Sequence, residues 1–208
     1  MMKQGVFITF EGGEGAGKTT LIEAVFKELL QQGYPVLKTR EPGGTALGEK
    51  IRHLVLEQTN IIAPLAELSL FLASRAQHVS ELILPALQAG QIVLCDRFND
   101  STIAYQGAAR GLGMKQVEAM CSFITSNLTP DLTLYLDIDP KVGLARIKKE
   151  RLTDRIEAEK LNFHQAIRTG FLAIHKNHPE RFYKLDATLQ PILLLHQAMQ
   201  LILKVITN

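Results

Sequence analysis

Residues 11–20 form a glycine-rich loop that constrains the fold of this chain more than any other segment. Gly12, Gly17, Lys18 and Thr19 match the spacing Gly-x4-Gly-Lys-[Ser/Thr] of a phosphate-binding loop. The glycines allow backbone N–H groups to turn towards an anion at the N-terminus of a helix, which already favours negative charge. The lysine can then reach the outer phosphates, and the threonine hydroxyl can ligate Mg²⁺. The loop therefore predicts a binding site for a nucleoside triphosphate.

The residues on either side of this loop have the patterns of a strand and of a helix. Val6–Phe10 is an apolar run of the kind that forms a buried strand. Thr20–Gln32 has apolar residues at helical spacing, and Gly33 follows it as a stop signal. A glycine-rich turn could match the loop spacing by chance, but chance does not account for a strand, a loop and a helix in the required order. The context favours a phosphate-binding loop.

The composition is that of an ordinary globular protein and excludes strong electrostatic attraction to nucleic acid. Of the 208 residues, 46% are hydrophobic and 21% are charged, and the net charge is +2. This balance predicts no nucleic-acid partner and no attraction to anionic membranes. Cys95 and Cys121 are too few for a disulfide framework, which favours a reduced, cytoplasmic compartment. His175 and His178 are interpreted as surface or helix-end residues, because the histidines have no metal-ligand spacing.

Neither end of the sequence has the pattern of a membrane segment. Lys3 leads directly into the first predicted strand, so no signal peptide is expected. Ile192–Ile206 is rich in leucine and isoleucine but is too short to cross a bilayer. We therefore interpret it as a packed terminal helix.

Apolar runs alternate with helical patterns along the whole chain. Five runs are predicted as strands: Val6–Phe10, Pro35–Thr39, Ile92–Cys95, Leu132–Leu136 and Arg181–Leu185. Eight segments are predicted as helices: Thr20–Gln32, Leu47–Glu57, Leu65–Gln88, Ser101–Tyr105, Lys115–Asn127, Lys141–Lys149, Glu159–Lys176 and Ile192–Ile206. The alternation predicts an α/β fold of the P-loop NTPase type, with a five-stranded parallel sheet flanked by helices in one domain of residues 1–208. Pro85 could kink or shorten the helix that contains it.

Two predicted strand ends carry arginines suited to holding a second phosphate. Asp96 ends a buried strand and Arg97 follows it, which places a carboxylate for a metal beside a guanidinium. Arg40 stands at another strand end before a Pro-Gly-Gly turn, where its guanidinium and the exposed amides can clamp a phosphate. A solvated Asp–Arg pair and an ordinary turn are the simpler alternatives. Together the two segments favour a small-molecule kinase over other users of the phosphate loop.

Two further features suit a nucleotide base and a transferred phosphate. Phe71 and Arg75 share a helix face, so one could stack on a base while the other binds its edge; core packing of the phenylalanine is the alternative. Lys148, Arg151 and Arg155 recur at intervals of three and four residues. As a helix face or a mobile flap they could close over the phosphoryl group, for which an arginine is worth roughly 10³–10⁵ in rate in related enzymes. A solvated basic surface is the alternative.

Taken together, these motifs resemble those of the thymidylate kinase family nearly from end to end. The shared motifs are Phe-Glu-Gly-Gly-Glu-Gly-Ala-Gly-Lys-Thr-Thr at 10–20, Thr-Arg-Glu-Pro-Gly-Gly-Thr at 39–45, Asp-Arg at 96–97, Ser-Thr at 101–102, Ala-Tyr-Gln-Gly at 104–107, Pro-Asp-Leu-Thr-Leu-Tyr-Leu-Asp at 130–137 and Asp-Arg-Ile-Glu at 154–157. The resemblance implies a nucleoside monophosphate kinase-like fold. It implies transfer of the terminal phosphate of ATP to dTMP, giving dTDP and ADP in dTTP biosynthesis. It also implies Mg²⁺ as cofactor and a homodimer.

The same resemblance implies roles for individual residues. ATP would be held by Gly12, Gly13, Glu14, Gly15, Ala16, Gly17, Lys18, Thr19 and Thr20, with Ala187 and Thr188 bordering the adenine. The residues for dTMP would be Glu14 at the sugar 3′-hydroxyl, Arg40 and Arg97 at the phosphate, Phe71 stacked on thymine, Arg75 at its O4, Thr102 near its N3, Tyr105 crowding the 2′ position, and Ser101 and Gln106 nearby. The catalytic set would be Lys18, Asp96, Arg97, Arg151 and Arg155, and the Mg²⁺ ligands would be Thr19 and Asp96.

The distribution of basic residues resembles the mainly bacterial layout of the family, in which a lid supplies the catalytic cations. The phosphate loop contains no arginine, whereas the expected lid, at about residues 146–158, is basic. Glu150 stands where a lid arginine of that layout aligns, and Arg151 follows it. Either the lid register shifts by one residue, or Lys148 and Arg155 take that role.

Two other functions fit the sequence less well. The first is a kinase for another deoxynucleotide or for a nucleoside, which would share most of these residues. A panel of phosphate acceptors distinguishes it from a dTMP kinase. The second is a GTP-dependent switch or a regulatory binding module. A switch would normally carry an Asn-Lys-x-Asp motif that binds guanine, and this sequence has none. Turnover that requires a second nucleotide would also separate a kinase from a switch.

Overall fold

A five-stranded parallel sheet forms the centre of the protein. The computed structural model describes residues 5–150 and 152–207, with the backbone alone for 148–150. The strands are β1 Val6–Gly12, β2 Val36–Arg40, β3 Ile92–Asp96, β4 Leu132–Asp137 and β5 Phe182–Asp186. They pair in the order β2-β3-β1-β4-β5, and every neighbouring pair is parallel. The predicted sheet is confirmed.

Helices cover both faces of this sheet. Within the described residues the α-helices are α1 Lys18–Gln31, α2 Ala46–Leu56, α3 Pro64–His78, α4 Leu84–Gln88, α5 Asn99–Thr102, α6 Met114–Ile124, α7 Pro140–Glu150, α8 Leu161–Asn177 and α9 Pro191–Thr207. The described part of the chain also contains two π-helical segments, Val79–Ile83 between α3 and α4 and Ile103–Ala109 after α5. None of these helices is long and apolar enough to cross a membrane.

The π-helical segments account for two differences from the predicted helices. Leu84 donates its N–H to the carbonyl of Val79, five residues back, so the hydrogen-bond ladder is shifted just before Pro85, which has no N–H to donate. The helix predicted over Leu65–Gln88 therefore continues past the proline. The one predicted over Ser101–Tyr105 likewise extends into a π-helical segment, through Ala109.

A third predicted helix, over Lys115–Asn127, ends earlier than expected. Helix α6 stops at Ile124, and the φ angles of Ser126 and Asn127 are 51° and 60°. These residues have the left-handed conformation, which cannot continue a right-handed helix. The two residues instead form the turn that leads towards β4.

The sheet has a hydrophobic core on each face, because successive strand residues point to opposite sides. Ile8 and Phe10 of β1 cluster with Val25 of α1 and Ile202 of α9. Phe7 precedes Ile8 and points to the opposite side, where it belongs to a second cluster with the π-helical segment before α4. The central strands β1, β3 and β4 are buried along almost their whole length, and charged residues begin at their carboxyl ends.

The carboxyl ends of the central strands meet at one edge of the sheet. Asp96, the last residue of β3, is in register with Phe10 of β1 on one side and with Arg40 of β2 on the other. Ligands of parallel α/β sheets bind at this edge. The phosphate loop and the two predicted arginine segments therefore lie next to one another.

Candidate active site

A cavity of about 640 Å³ lies at the carboxyl edge of the sheet, and its size is within the range of small-molecule sites. The sequence-predicted site residues that line it are Glu14, Gly15, Ala16, Gly17, Lys18, Thr19, Thr20, Arg40, Phe71, Arg75, Asp96, Arg97, Ser101, Thr102, Tyr105, Gln106 and Ala187. The predicted residues that do not line it, among those described, are Gly12, Gly13, Arg155 and Thr188. The structure thus brings most residues assigned to the two nucleotides around one space.

The phosphate loop turns tightly into the N-terminus of α1. Gly15 and Gly17 have φ angles of 66° and 88°, which residues with side chains rarely adopt. Gly17 occupies the N-cap position without a capping side chain, so the first N–H groups of α1 are free to bind an anion. The buried Lys18 donates from Nζ to the carbonyl oxygens of Gly12 and Gly13 over 3.1 Å and 2.9 Å. Positive potential is therefore concentrated at this end of the cavity.

Thr19 and Asp96 place two oxygen atoms together beside the loop. The Thr19 hydroxyl donates to Oδ2 of Asp96 over 3.2 Å. Oxygen donors are the ligands that Mg²⁺ prefers, and proteins commonly hold it with one or two carboxylates together with substrate phosphates. This pair of oxygens therefore fits a Mg²⁺ ion that arrives with a nucleoside triphosphate.

Arg97 is held in a backbone conformation that is rare for a residue with a side chain. Its φ angle is 72°, in the left-handed region. The next residue is fixed, because Phe98 donates its N–H to Oε1 of the buried Glu11 over 2.7 Å. The guanidinium donates to the carbonyl oxygen of Gly12 and to Oε1 of Glu14, each over 2.9 Å. Unusual backbone of this kind is concentrated at functional sites, and here it aims a cation across the phosphate loop.

Glu14 lines the cavity and is a carboxylate shared between two side chains. The Tyr105 hydroxyl donates to its Oε1 over 2.7 Å, and Arg97 donates to the same atom. Burial would raise the pKa of Glu14, but the charges of Arg97 and Lys18 outweigh it and lower that pKa to about 2. Glu14 is therefore ionised at neutral pH and acts only as a hydrogen-bond acceptor, which suits a ligand hydroxyl.

Arg75 lies in a buried network beneath the cavity, with 2% of its side chain exposed. Its Nε donates to Glu41 over 2.6 Å, and its Nη1 donates to Oγ1 of Thr102 over 2.8 Å. A third bond runs from Nη2 to the carbonyl of Phe98 over 3.0 Å. Glu41 is in turn 2.9 Å from Nδ1 of His78. These bonds fix Arg75 next to Thr102, which is also predicted at the base.

Arg40 and Arg52 bring two further cations to the cavity. Arg40 donates to Oε2 of Glu49 over 3.0 Å, and Arg52 donates to the carbonyl of Pro42 over 3.0 Å. The pKa of Arg52 is lowered by burial and by the positive charges of Arg40 and Arg97. The charges of these arginines make the electrostatic potential positive here. A positive potential attracts an anion, so this end of the cavity can hold a second phosphate.

Comparison with known proteins assigns this geometry to a family. A model of the thymidylate kinase family matches residues 10–199. The chain belongs to the thymidylate kinase family. The resemblance inferred from the sequence motifs is thereby confirmed.

Relatives of known identity match over nearly their full length. The thymidylate kinase of Protochlamydia amoebophila is 50% identical over 206 residues, which cover 95% of this chain and 92% of that protein. The thymidylate kinase of Chlamydia muridarum is 48% identical over 196 residues, covering 93% and 97% respectively. The solved structure of the thymidylate kinase from Ehrlichia chaffeensis matches with a TM-score of 0.77 and 32% identity over 96% of this chain and 99% of that one.

The part of this thymidylate kinase fold that the resemblance assigns to adenine follows β5. Ala187 is buried and lines the cavity, whereas the exposed Thr188 donates its N–H and hydroxyl to Oδ1 of Asp186 over 2.9 Å and 2.7 Å. Arg146 of α7 donates to the carbonyl oxygens of Ala187 and Gly15 over 3.3 Å and 3.4 Å. Arg146 therefore bridges the phosphate loop and the segment after β5.

The lid expected for this layout of the thymidylate kinase family falls only partly within the described residues. Arg151 and the side chains of Lys148 and Glu150 lie outside them, so the register of the lid stays a prediction. Arg155 does not line the cavity, and its Nη2 donates to Oε2 of Glu67 over 2.6 Å. Its neighbours in sequence, Asp154 and Ile156, do line the cavity.

Sequence reasoning gave no role to Arg52 and Arg146, which line the cavity, or to Glu11, which fixes Phe98 beside it. Glu11 had a usable signal, because a carboxylate that ends an apolar strand must be paired or neutralised when it is buried. Arg52 and Arg146 had none, since a basic residue on a helix has the same pattern whether it faces solvent or a cavity. Their positions depend on how α2 and α7 pack on the sheet.

Proposed function

We propose that this chain transfers the terminal phosphate of ATP to dTMP, giving dTDP and ADP. The supporting observation is that a single cavity joins a phosphate loop to a second cationic end: Lys18 and Thr19 line one part, and Arg40, Phe71 and Arg97 line the other. Membership of the thymidylate kinase family supports dTMP as the acceptor. A kinase for another deoxynucleotide or a nucleoside has no such support.

In this proposal dTMP lies between α3 and the π-helical segment that follows α5. Phe71 stacks on thymine, and Arg75 and Thr102 face its O4 and N3 from the network that fixes them. Tyr105, which is held by Glu14, crowds the sugar 2′ position and so disfavours a ribonucleotide. Ser101 and Gln106 complete this wall of the cavity.

The proposed reaction needs no general base, because the accepting phosphate oxygen is already anionic. It needs two anions held in line with their repulsion cancelled, which is positioning combined with electrostatic stabilisation. Lys18 supplies fixed positive charge at the ATP phosphates, and Arg40 and Arg97 supply it at the dTMP phosphate. Mg²⁺, held by Thr19 and Asp96, would neutralise charge on the ATP phosphates when bound.

ATP would place its phosphates on residues 12–20 and its adenine beside Ala187 and Thr188. Within one domain of residues 1–208, residues 146–158 would form a lid that includes Arg151. Closure of this lid would exclude water, since water at the terminal phosphate would hydrolyse ATP instead of allowing transfer.

We also propose a cytoplasmic homodimer. Large apolar side chains are exposed on the neighbouring helices α2, α3 and α6: Leu47, Leu54, Leu65, Met120 and Phe123. A contiguous patch of exposed apolar groups is typical of a surface that binds a partner, and we propose that these residues form one. The free, buried cysteines fit a reduced compartment. Light scattering of the purified protein measures the oligomeric state directly.

The assigned role of Arg97 and the choice of acceptor can be tested together in one assay. ADP release is measured with dTMP, dCMP and dGMP as acceptors, for the wild type and for Arg97→Ala. We expect dTMP to be preferred, and Arg97→Ala to lower kcat by about 10³-fold, the effect of a transition-state arginine in related enzymes, while ATP still binds. Lys204→Ala, an exposed cation on α9, is the charge-matched control. A preference for dCMP or dGMP contradicts the acceptor, and unchanged turnover of Arg97→Ala contradicts its role.

A further inference from the structure

Glu67 is a carboxylate with no exposure to solvent, although it lies in the first turn of α3. A buried charge is costly unless it is paired and hydrogen-bonded. Burial would raise the pKa of Glu67, but hydrogen bonds from Arg110, Gln106 and Arg155 outweigh it and lower that pKa. Glu67 is therefore an ionised group around which several partners are arranged.

These partners come from two separate parts of the chain, residues 106–110 and residue 155. Arg110 binds both oxygens of Glu67, from Nε and Nη2, each over 3.1 Å. Gln106, in the π-helical segment after α5, donates to Oε1 over 2.8 Å, and Arg155 donates to Oε2 over 2.6 Å. A second carboxylate, Glu159, accepts from Nη1 of Arg110 over 2.5 Å. Two carboxylates thus balance two guanidinium groups.

Arg155 is attached to the body of the protein at more than this one point. Its Nε donates to the carbonyl of Val55 over 2.8 Å, and its backbone N–H donates to the carbonyl of Leu56 over 3.1 Å, both at the end of α2. Its side chain is 12% exposed. Arg155 therefore binds α2 and α3, on the side of the lid segment that faces these two helices.

The residues on either side of Arg155 face the cavity instead. Asp154, Ile156 and Glu157 line it, and Arg155 does not. The turn that they form is rigid, because Oδ1 of Asp154 accepts the N–H groups of Ile156 and Glu157, each over 2.9 Å. Holding Arg155 in place therefore holds this whole wall of the cavity in place.

We propose that Glu67 and Arg155 form a latch that positions the lid segment 154–157 as a wall of the active-site cavity. Arg155 is then a positioning residue. Other cations, and not Arg155, would contact the transferred phosphate. The same carboxylate holds Gln106, so the lid wall and the wall proposed for dTMP share one anchor. This inference rests on the proposed kinase function for its effect on turnover, but the latch itself is independent of that function.

The first test is amide hydrogen exchange of residues 152–160 in the nucleotide-free protein. Arg155→Met should accelerate exchange of this segment by about tenfold, because native-state exchange follows the free energy of local opening. Arg155→Lys keeps the charge and should restore part of the protection. Lys160→Met, an exposed cation in the same segment, is the matched control and should leave exchange unchanged. Unchanged protection in Arg155→Met would overturn the latch, whether or not the protein phosphorylates dTMP.

The second test separates positioning from direct catalysis. Glu67→Gln and Glu67→Gln/Arg155→Met are compared with Arg155→Met for transfer to dTMP and for ATP hydrolysis without dTMP. We expect the two single variants to have similar defects that do not add in the double variant, with a larger share of ATP lost to hydrolysis. If Glu67→Gln does not fold, the two Arg155 variants carry the test. A large loss of kcat in Arg155→Met with unchanged exchange would instead place Arg155 at the phosphates.

Discussion

Replacing Gly143 with alanine should separate the helix that leads into the lid from the phosphate loop. A Cβ atom at Gly143, in α7, would lie 2.1 Å from the carbonyl oxygen of Glu14, and one at Gly15 would lie 2.1 Å from the carbonyl oxygen of Gly143. Cβ atoms essentially never approach such an atom within 3.0 Å, so the two backbones must move apart. The required shift is about 1 Å, and a misplacement of that size can cost about 100-fold in rate.

Helix propensity alone predicts that Gly143→Ala stabilises the protein, which is the opposite of the expectation from the contact with the phosphate loop. The substitution therefore distinguishes the two effects. Alanine in a helix interior is favoured over glycine by about 0.5–1 kcal/mol, so α7 considered by itself would be stabilised. We expect Gly143→Ala to lower kcat/KM for ATP by about 100-fold in a coupled ADP-release assay, because the phosphate loop is displaced. Val142→Ala, on an exposed position of the same turn, is the control. Wild-type kcat/KM together with a raised melting temperature would refute the contact between α7 and the loop.

Two further predictions concern carboxylates of the site. Burial and the neighbouring Asp100 raise the pKa of Glu11 from 4.5 to about 8. The folded state therefore keeps a proton that the unfolded chain releases, and the free energy of unfolding should fall as the pH rises from 5 to 8. Urea unfolding should show a weaker fall for Glu11→Gln, and parallel pH profiles would count against this assignment. Asp96→Asn should raise the Mg²⁺ concentration needed for half-maximal ADP release by about tenfold or more, because a ligand and its charge are lost; an unchanged Mg²⁺ titration would remove Asp96 from the metal site.

Much of the fold follows from local patterns in the sequence. The central strands β1 and β4 are buried on both faces and appear in the sequence as largely apolar runs, so the predicted Val6–Phe10 and Leu132–Leu136 end within two residues of the observed strands. The π-helical segment before α4 leaves no such pattern, because its buried residues Val79, Ile83 and Leu87 recur at the four-residue spacing of an ordinary helix. The early end of α6 at Ile124 depends on left-handed residues that are neither glycine nor proline.

The site could be predicted where a motif fixes local geometry and not where partners are distant in sequence. The phosphate loop and the Asp96–Arg97 pair lie at strand ends, so the topology of the sheet brings them together. Arg155 meets Glu67, 88 residues away in the sequence, and that pairing depends on how α3 packs under the lid. A basic residue near a nucleotide motif is therefore easy to assign to phosphate when its real neighbour is a buried carboxylate.

The central claim is that the cavity brings a nucleoside monophosphate against the terminal phosphate of ATP. The direct measurement is ADP release from ATP and Mg²⁺ by the purified protein, with and without dTMP. The account predicts slow release without dTMP and a rise of several orders of magnitude when dTMP is added, with dTDP formed in equal amount. A rate of ADP release that is the same with and without dTMP would contradict it.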